Sequence, residues 1–286
     1  MDGYRRQQIQ GKALELLREA GVASLPIRPI EIAKHLDIKI EAKPATVSGA
    51  SGWLIRNGNE FAIVYATHID NEGFQNFSIA HELGHYWLEG HPEHVFQDGT
   101  EHMSHAGFGS ADAIEHEADY FAACLLMPKP FCAPLINRNV DGMAGVMALA
   151  RQCNTSLTSA ALRYAELGTL PTGVIQCLNS KVEFCASYPL QAHVGWARAL
   201  PRNAKVPAES ATHRLAEDKS AVLQGSEDSD SSPASDWFPG ADSKFGLIEE
   251  VVGLGRFGRT LTVLTLEKFD ADGDEDERER DEPRFR

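Results

Sequence analysis

Between Phe77 and His91 the chain reads FSIAHELGHYWLEGH, the stretch that most restricts what it can fold into. It predicts a helix that starts near Asn71 and is ended by Gly90 and Pro92. His81 and His85 then stand one turn apart on a single face, so both can aim a ring nitrogen at one metal ion. Glu82 sits about 100° round the helix axis from His81. It is turned away from the ligand positions, but it can take a proton from water attacking a peptide carbonyl beside the ion. H-E-x-x-H is the helical form of this arrangement, and zinc is the ion it suits. Three fixed positions coincide by chance in roughly one chain of this length in a hundred. The rest of the chain must therefore supply a third ligand and leave a fourth position open.

IEHEADYFAACLLMP (114–128) is the best source of that ligand. A second helix is expected from Ser110, a good N-cap, to Met127, stopped by Pro128 and Pro130. Glu115 and Asp119 are four residues apart on it. An E-x-x-x-D helix after H-E-x-x-H is similar to the arrangement in the His-His-Glu class of zinc peptidases. That likeness assigns Glu115 to zinc and Asp119 to a motif histidine, His81 or His85, which it orients from behind. Glu117 is the rival ligand. Both acids flank the same apolar stripe of Ile114, Ala118, Phe121 and Leu125, so only the motif spacing favours Glu115. The plainer alternative puts both on a solvated face, although acids beside a nearly all-apolar YFAACLLM must find partners or water.

Seven of the eleven histidines lie from His81 to His116. His91, His94, His102 and His105 fall in residues 91–109, which read as a polar loop. Each offers an alternative ligand or a donor to a tetrahedral intermediate, and an exposed loop is the simpler reading for each. Tyr86 and Tyr120 read as core or rim aromatics.

The remaining pattern is α+β. Ile9, Ala13, Leu16 and Leu17 are at helical spacing within residues 5–20, with Gly21 as the stop. Pro29 opens a helix near Ile30 to Leu36, and a strand starts at Ile38 to Ile40. GWLIRNGNEFAIVYA reads as a hairpin turning at Asn57-Gly58. Residues 141–168 read as two short helices joined near Asn154-Thr155, the outline of a helix-turn-helix. After Pro171, GVIQCLNSKVEFCASY, FGLIEEVVGLG and RTLTVLTLEKF predict strands, interrupted by an exposed loop at SEDSDSSPASD (226–236). GLGRFGR (253–259) reads as a turn between strands, since it lacks the Lys-Ser/Thr of a phosphate loop. The end, DADGDEDERERDEPRFR, reads as a disordered acidic tail. Its calcium-loop start fails at Glu275 and Asp281, where Gly and Glu are needed.

The 286 residues are 43% hydrophobic and 24% charged, ordinary for a globular chain with a sizeable core. A formal net charge of -14 argues against a duplex-binding surface. Residues 141–168 bring only Arg151 and Arg163 to any phosphate. The cysteines, Cys124, Cys132, Cys153, Cys177 and Cys185, are odd in number and form no C-x-x-C pair, which fits free thiols in a reducing compartment. Cys124, among apolar residues, reads as buried rather than reactive. The N-terminus shows no apolar signal-peptide core, and no apolar run approaches the roughly 20 residues that span a bilayer. A cytoplasmic protein without membrane association is expected.

NFSIAHELGHYWLEGH and EHEADYFAACLLMP, with SGASGWLI upstream, together resemble the ImmA/IrrE family of metallopeptidases. The likeness covers roughly residues 8–165. It implies His81, His85 and Glu115 as zinc ligands and Glu82 as general base. It implies a zincin-like metallopeptidase core with a small sheet and the HExxH helix, followed by a helix-turn-helix-like segment. On that footing residues 1–135 form the core and 136–169 the helical segment. Residues 170–269 form a β-rich C-terminal domain to which no motif assigns a role, and 270–286 the tail. The implied activity is that of a zinc-dependent endopeptidase that cleaves a transcriptional repressor, often a small helix-turn-helix protein, and so releases genes under stress. The implied partner is that protein substrate, without direct DNA contact. An extended substrate is expected against the Gly52–Tyr65 hairpin edge, by strand addition. Manganese or iron also suits such a ligand set. Two other readings stand beside this one. The first is a regulatory protein that binds a repressor without cleaving it, with a structural or vestigial zinc site. The second is a DNA-binding regulator using residues 141–168.

Overall fold

The computed structural model describes residues 1–44, 49–105, 112–136, 142–195, 200–242 and 244–267. The chain divides into two compact units, Met1–Thr169 and Leu170–Arg286.

In the first unit, α1 (Gly3–Glu19) begins at Asp2, whose carboxylate accepts from the Arg5 backbone N–H at 2.7 Å and caps the helix. Its buried face is the stripe of Ile9, Ala13, Leu16 and Leu17. α2 (Pro29–His35) starts on Pro29, whose missing N–H is one that a first turn leaves unpaired anyway. β1 (Lys39–Lys43), β2 (Ala50–Asn57), β3 (Glu60–Ala66) and β4 (Glu101–His105) form a sheet in the order β1-β3-β2-β4. β2 and β3 pair antiparallel from Gly52↔Tyr65 to Asn57↔Glu60, so the hairpin loop is Gly58-Asn59, with positive φ at Gly58. That is one residue later than the sequence suggested.

α3 (Glu72–Trp87) is capped by Asn71, whose side chain accepts from the Phe74 N–H at 2.9 Å. The segment after it departs from the expected loop. Gly90, in the left-handed conformation, leads into α4 (His91–Val95). β4 then pairs along β2, from Ala50↔His105 to Ile55↔Glu101. Glu, His, Met and Ser carry no apolar alternation, so these side chains do not announce a strand; backbone pairing with β2 makes it one. As a result β2 and β3 are interior strands, and the sheet edge beside them is β4 rather than the hairpin.

α5 (Ala113–Leu126) starts at Asp112, which caps it through the Ile114 N–H at 3.0 Å. The expected cap, Ser110, lies outside the described residues. α3 and α5 approach closely: a Cβ on Gly84 would stand 3.2 Å from the Ala118 Cα. Glycine in HELGH therefore lets α5 come close to the helix that carries the histidines. Ile79, Leu83, Phe121 and Leu125 share one buried core with Leu16, Leu54 and Ile63. α6 (Lys129–Ile136) follows directly, so the prolines that end α5 also open a new helix. α7 (Met143–Cys153) and α8 (Leu157–Leu167) turn at Asn154, which is left-handed. Asn76 of α3 donates to the Asn154 carbonyl at 3.4 Å, and the Thr155 backbone lies against Gly73. The turn of this helix pair is seated on the N-terminal end of α3.

In the second unit, β5 (Thr172–Leu178), β6 (Lys181–Ala186), β7 (Glu227–Pro233), β8 (Gly246–Gly253) and β9 (Arg259–Leu266) form an antiparallel sheet in the order β6-β5-β9-β8-β7. Short helices α9 (Tyr188–His193), α10 (Ala211–Glu217), α11 (Lys219–Gln224) and α12 (Ala234–Trp237) intervene. The Ser/Asp-rich stretch is an edge strand and not a loop: β7 pairs with β8 from Glu227↔Val252 to Pro233↔Gly246. Its charges blunt edge-to-edge association, and the same charges hide it from apolar periodicity. Arg214 of α10 faces it, with Nε donating to Asp228 at 3.1 Å and a terminal N–H to Asp230 at 2.7 Å. Inside this unit Glu249 is fully buried and satisfied. It accepts from the Thr212 N–H and hydroxyl at 2.6 Å each, and from Trp237 Nε1 at 3.3 Å. The GLGRFGR segment forms the turn between β8 and β9. All five cysteines are free thiols. No helix among the described residues is long and apolar enough to cross a membrane. The acidic tail lies outside the described residues.

Candidate metal centre

α3 carries His81, Glu82 and His85, and α5 carries Glu115 and Asp119. The two histidine Nε2 atoms are 3.0 Å apart. Glu115 places Oε2 3.3 Å from His81 Nε2 and Oε1 3.4 Å from His85 Nε2. One ligand atom from each of the three residues lies within 4.8 Å of the others. Ligands round a tetrahedral ion, with bonds of about 2.0–2.1 Å, stand about 3.4 Å apart. Two imidazoles and a carboxylate at these separations therefore fit an ion the size of zinc. Behind the set, Asp119 Oδ1 is 2.9 Å from His81 Nδ1, so the E-x-x-x-D aspartate backs His81.

Glu117 is engaged elsewhere. Its carboxylate pairs with Arg5 of α1, and Oε2 is 3.1 Å from His91 Nε2. His91 is fully buried rather than exposed, with Nδ1 3.3 Å from His85 Nδ1. His102, on β4, puts Nε2 3.0 Å from Glu115 Oε1. Alternation along β4 puts His102 and Ser104 on one face of the strand, but nothing in EHMSH marks it as a strand, so the sequence alone did not single out His102. His94 stands 3.6 Å from Asp112, half-exposed, and His105 is exposed at the end of β4. The Tyr120 hydroxyl donates to Glu166 at 2.5 Å, and Tyr86 stacks edge-on against Phe61. Cys124 is buried and its thiol is pushed up to about 11 by that burial, which makes it inert.

Glu82 is the most constrained group. It is fully buried, and neither carboxylate oxygen has a hydrogen-bond partner among the described residues. β2 comes so near that a Cβ on Gly52 would lie 2.7 Å from Glu82 Oε1. Burial raises its pKa, against the pull of the His81 charge and the neighbouring Ser104 hydroxyl. An unpaired buried carboxyl opposes folding, so its presence points to function rather than stability.

Charge is unevenly shared across the donor set. Burial pulls His81 down, but the Asp119 and Glu115 carboxylates outweigh it and raise His81 to about 10. His85 falls to about 3, because burial dominates over the Glu115 carboxylate. Glu115 stays well below the usual carboxylate range: burial works against this, and hydrogen bonds from His102, His81 and His85 overcome it.

Residues 33–164 match the family model of the IrrE N-terminal-like domain, among the M78 peptidases. No curated protein matches the chain. Among solved structures, a Mycobacterium tuberculosis transcriptional regulator matches over 91% of this chain and 76% of its own length, with a TM-score of 0.58 and 14% identity. At that identity the likeness is one of fold.

Proposed function

Through residues 33–164 the chain belongs to the ImmA/IrrE peptidase family, and on that basis we propose that it is a zinc-dependent endopeptidase acting on a helix-turn-helix transcriptional repressor in the cytoplasm. The observation that carries this reading is the convergence of His81, His85 and Glu115 within 4.8 Å beside a buried Glu82 that has no hydrogen-bond partner among the described residues. His81, His85 and Glu115 hold the ion. Zinc, when bound, supplies Lewis-acid polarisation of the scissile carbonyl and acidifies water. Glu82 removes one proton from the attacking water as its oxygen bonds to the carbonyl carbon. It then passes that proton to the leaving nitrogen as the C–N bond breaks, giving a carboxylic acid and an amine, and transfer of the acid proton to the amine leaves a carboxylate and an ammonium. Asp119 holds the His81 ring from behind. An extended substrate adds as a strand along the outer edge of β4, the strand that carries His102 to Glu115. The target class rests on the family likeness, and the free thiols agree with a reducing compartment.

The test is cleavage of the helix-turn-helix repressor encoded nearest this chain's gene, by zinc-loaded protein. Two fragments are expected from wild type and none from Glu82→Gln, which should still bind one zinc. A Glu82→Gln protein that cuts at the normal rate would end this mechanism. A repressor released from DNA yet intact would favour binding without cleavage.

A further inference from the structure

Both ring nitrogens of His85 face a specific partner. Nε2 faces His81 and Glu115, at 3.0 and 3.4 Å. Nδ1 faces His91 Nδ1 at 3.3 Å. On the far side of His91, Nε2 is 3.1 Å from Glu117 Oε2, and Arg5 pairs with that same oxygen. His85 and His91 are both fully buried, so solvent does not take the place of any of these partners.

The donor rules then run in one direction. Arg5 can only donate, which leaves Glu117 to accept. A carboxylate that accepts from His91 requires the N–H of that ring at Nε2, and a neutral imidazole with N–H there is bare at Nδ1. The bare His91 Nδ1 accepts, so the facing His85 Nδ1 must carry the N–H. His85 is left with a bare Nε2, aimed at His81 and Glu115.

We propose that Arg5, Glu117 and His91 form a positioning relay that fixes the tautomer and ring angle of His85, as Asp119 does directly for His81. The inference rests on the reading of His85 as a metal ligand. Each motif histidine is then backed by a carboxylate, one in contact and one through a second imidazole. Glu117, the rival ligand by sequence, acts from behind the centre instead. Arg5 lies on α1, outside residues 33–164, so the first helix of this chain helps to hold the centre.

Two measurements test the relay. The first is zinc affinity by competition with a chromophoric chelator, together with the visible spectrum of the cobalt-substituted protein. His91→Phe keeps a buried ring but no acceptor, and should weaken zinc about 10–100-fold and alter the cobalt spectrum. His91→Asn, whose amide oxygen sits near the Nδ1 position, should recover most of that loss. Wild-type affinity in a folded His91→Phe protein overturns the relay, whatever its peptidase activity. The second measurement needs no variant and no metal: the imidazole ¹⁵N shifts of the metal-free wild type. The N–H of His91 is expected at Nε2, and an N–H at Nδ1 overturns the proposal. Wild-type protein that takes up no zinc would sink the peptidase reading, and the ¹⁵N shifts would still decide this one.

Discussion

Gly52 of β2 and Glu82 of α3 stand so close that a Cβ on Gly52 would meet Glu82 Oε1 at 2.7 Å. The strand serves as the wall against which the carboxylate is set. Gly52→Ala should therefore displace the Glu82 carboxyl within a fully buried space. Misplacement on the scale of 1 Å costs about a hundredfold in rate, so kcat/KM should fall by about that factor. Zinc content should remain at one per chain. An unchanged rate would mean that Glu82 adjusts freely and that the wall is irrelevant.

Glu82→Gln should raise the thermal midpoint of the metal-free protein at neutral pH while it abolishes cleavage. The folded-state pKa of Glu82 is raised by burial, so the folded state binds more protons than the unfolded state. The stability of the wild type then falls as pH climbs from the ordinary glutamate range through the raised value. Glutamine carries no such loss. The gain is about 1–2 kcal/mol, and the two proteins should converge in acid. Calorimetry at acid and neutral pH decides it; identical midpoints at neutral pH would show that the carboxylate is solvated or paired.

Zinc uptake should release one proton per chain near neutral pH. The metal-free protein holds His81 at about 10 and His85 at about 3, so His81 is the ring that must lose a proton. Apparent affinity should rise about tenfold per pH unit from pH 6 to 9. Calorimetric titration in buffers of different ionisation enthalpy counts the protons. An affinity flat over that range would place a neutral His81 in the metal-free centre.

Arg163→Met should destabilise the first unit by about 3 kcal/mol. Arg163 is 1% exposed, donates from Nε to the Met127 carbonyl at 2.9 Å and pairs with Glu166 at 2.6 Å. Methionine keeps much of the stem but leaves the Met127 carbonyl without that donor and Glu166 without its guanidinium, with the Tyr120 hydroxyl still donating to Glu166. The urea midpoint reads the loss, and a midpoint unchanged within error would show that water replaces the guanidinium.

The helix that carries H-E-x-x-H was legible because its logic is local. Asn71 caps it and His81 and His85 recur one turn apart, as a period of 3.6 residues demands. The buried stripe of α1 was legible for the same reason. β4 and β7 were not. Their side chains are polar, and each is a strand because a neighbouring strand pairs with its backbone, information that apolar alternation does not carry.

By itself the sequence determined the helices with strong apolar periodicity, α1, α3 and α5, and that two imidazoles and a carboxyl share one turn of α3. Tertiary structure alone decided which acid stands beside those histidines. Glu115 and Glu117 flank one stripe on α5. The close α3–α5 approach at Gly84 and Ala118 sets Glu115 beside the histidines, while Arg5, 112 residues away in sequence, engages Glu117. Tertiary structure likewise drew His91 and His102 out of an apparent loop. Helix geometry is set within four residues along the chain, whereas a buried polar group is placed by whichever distant element can satisfy it.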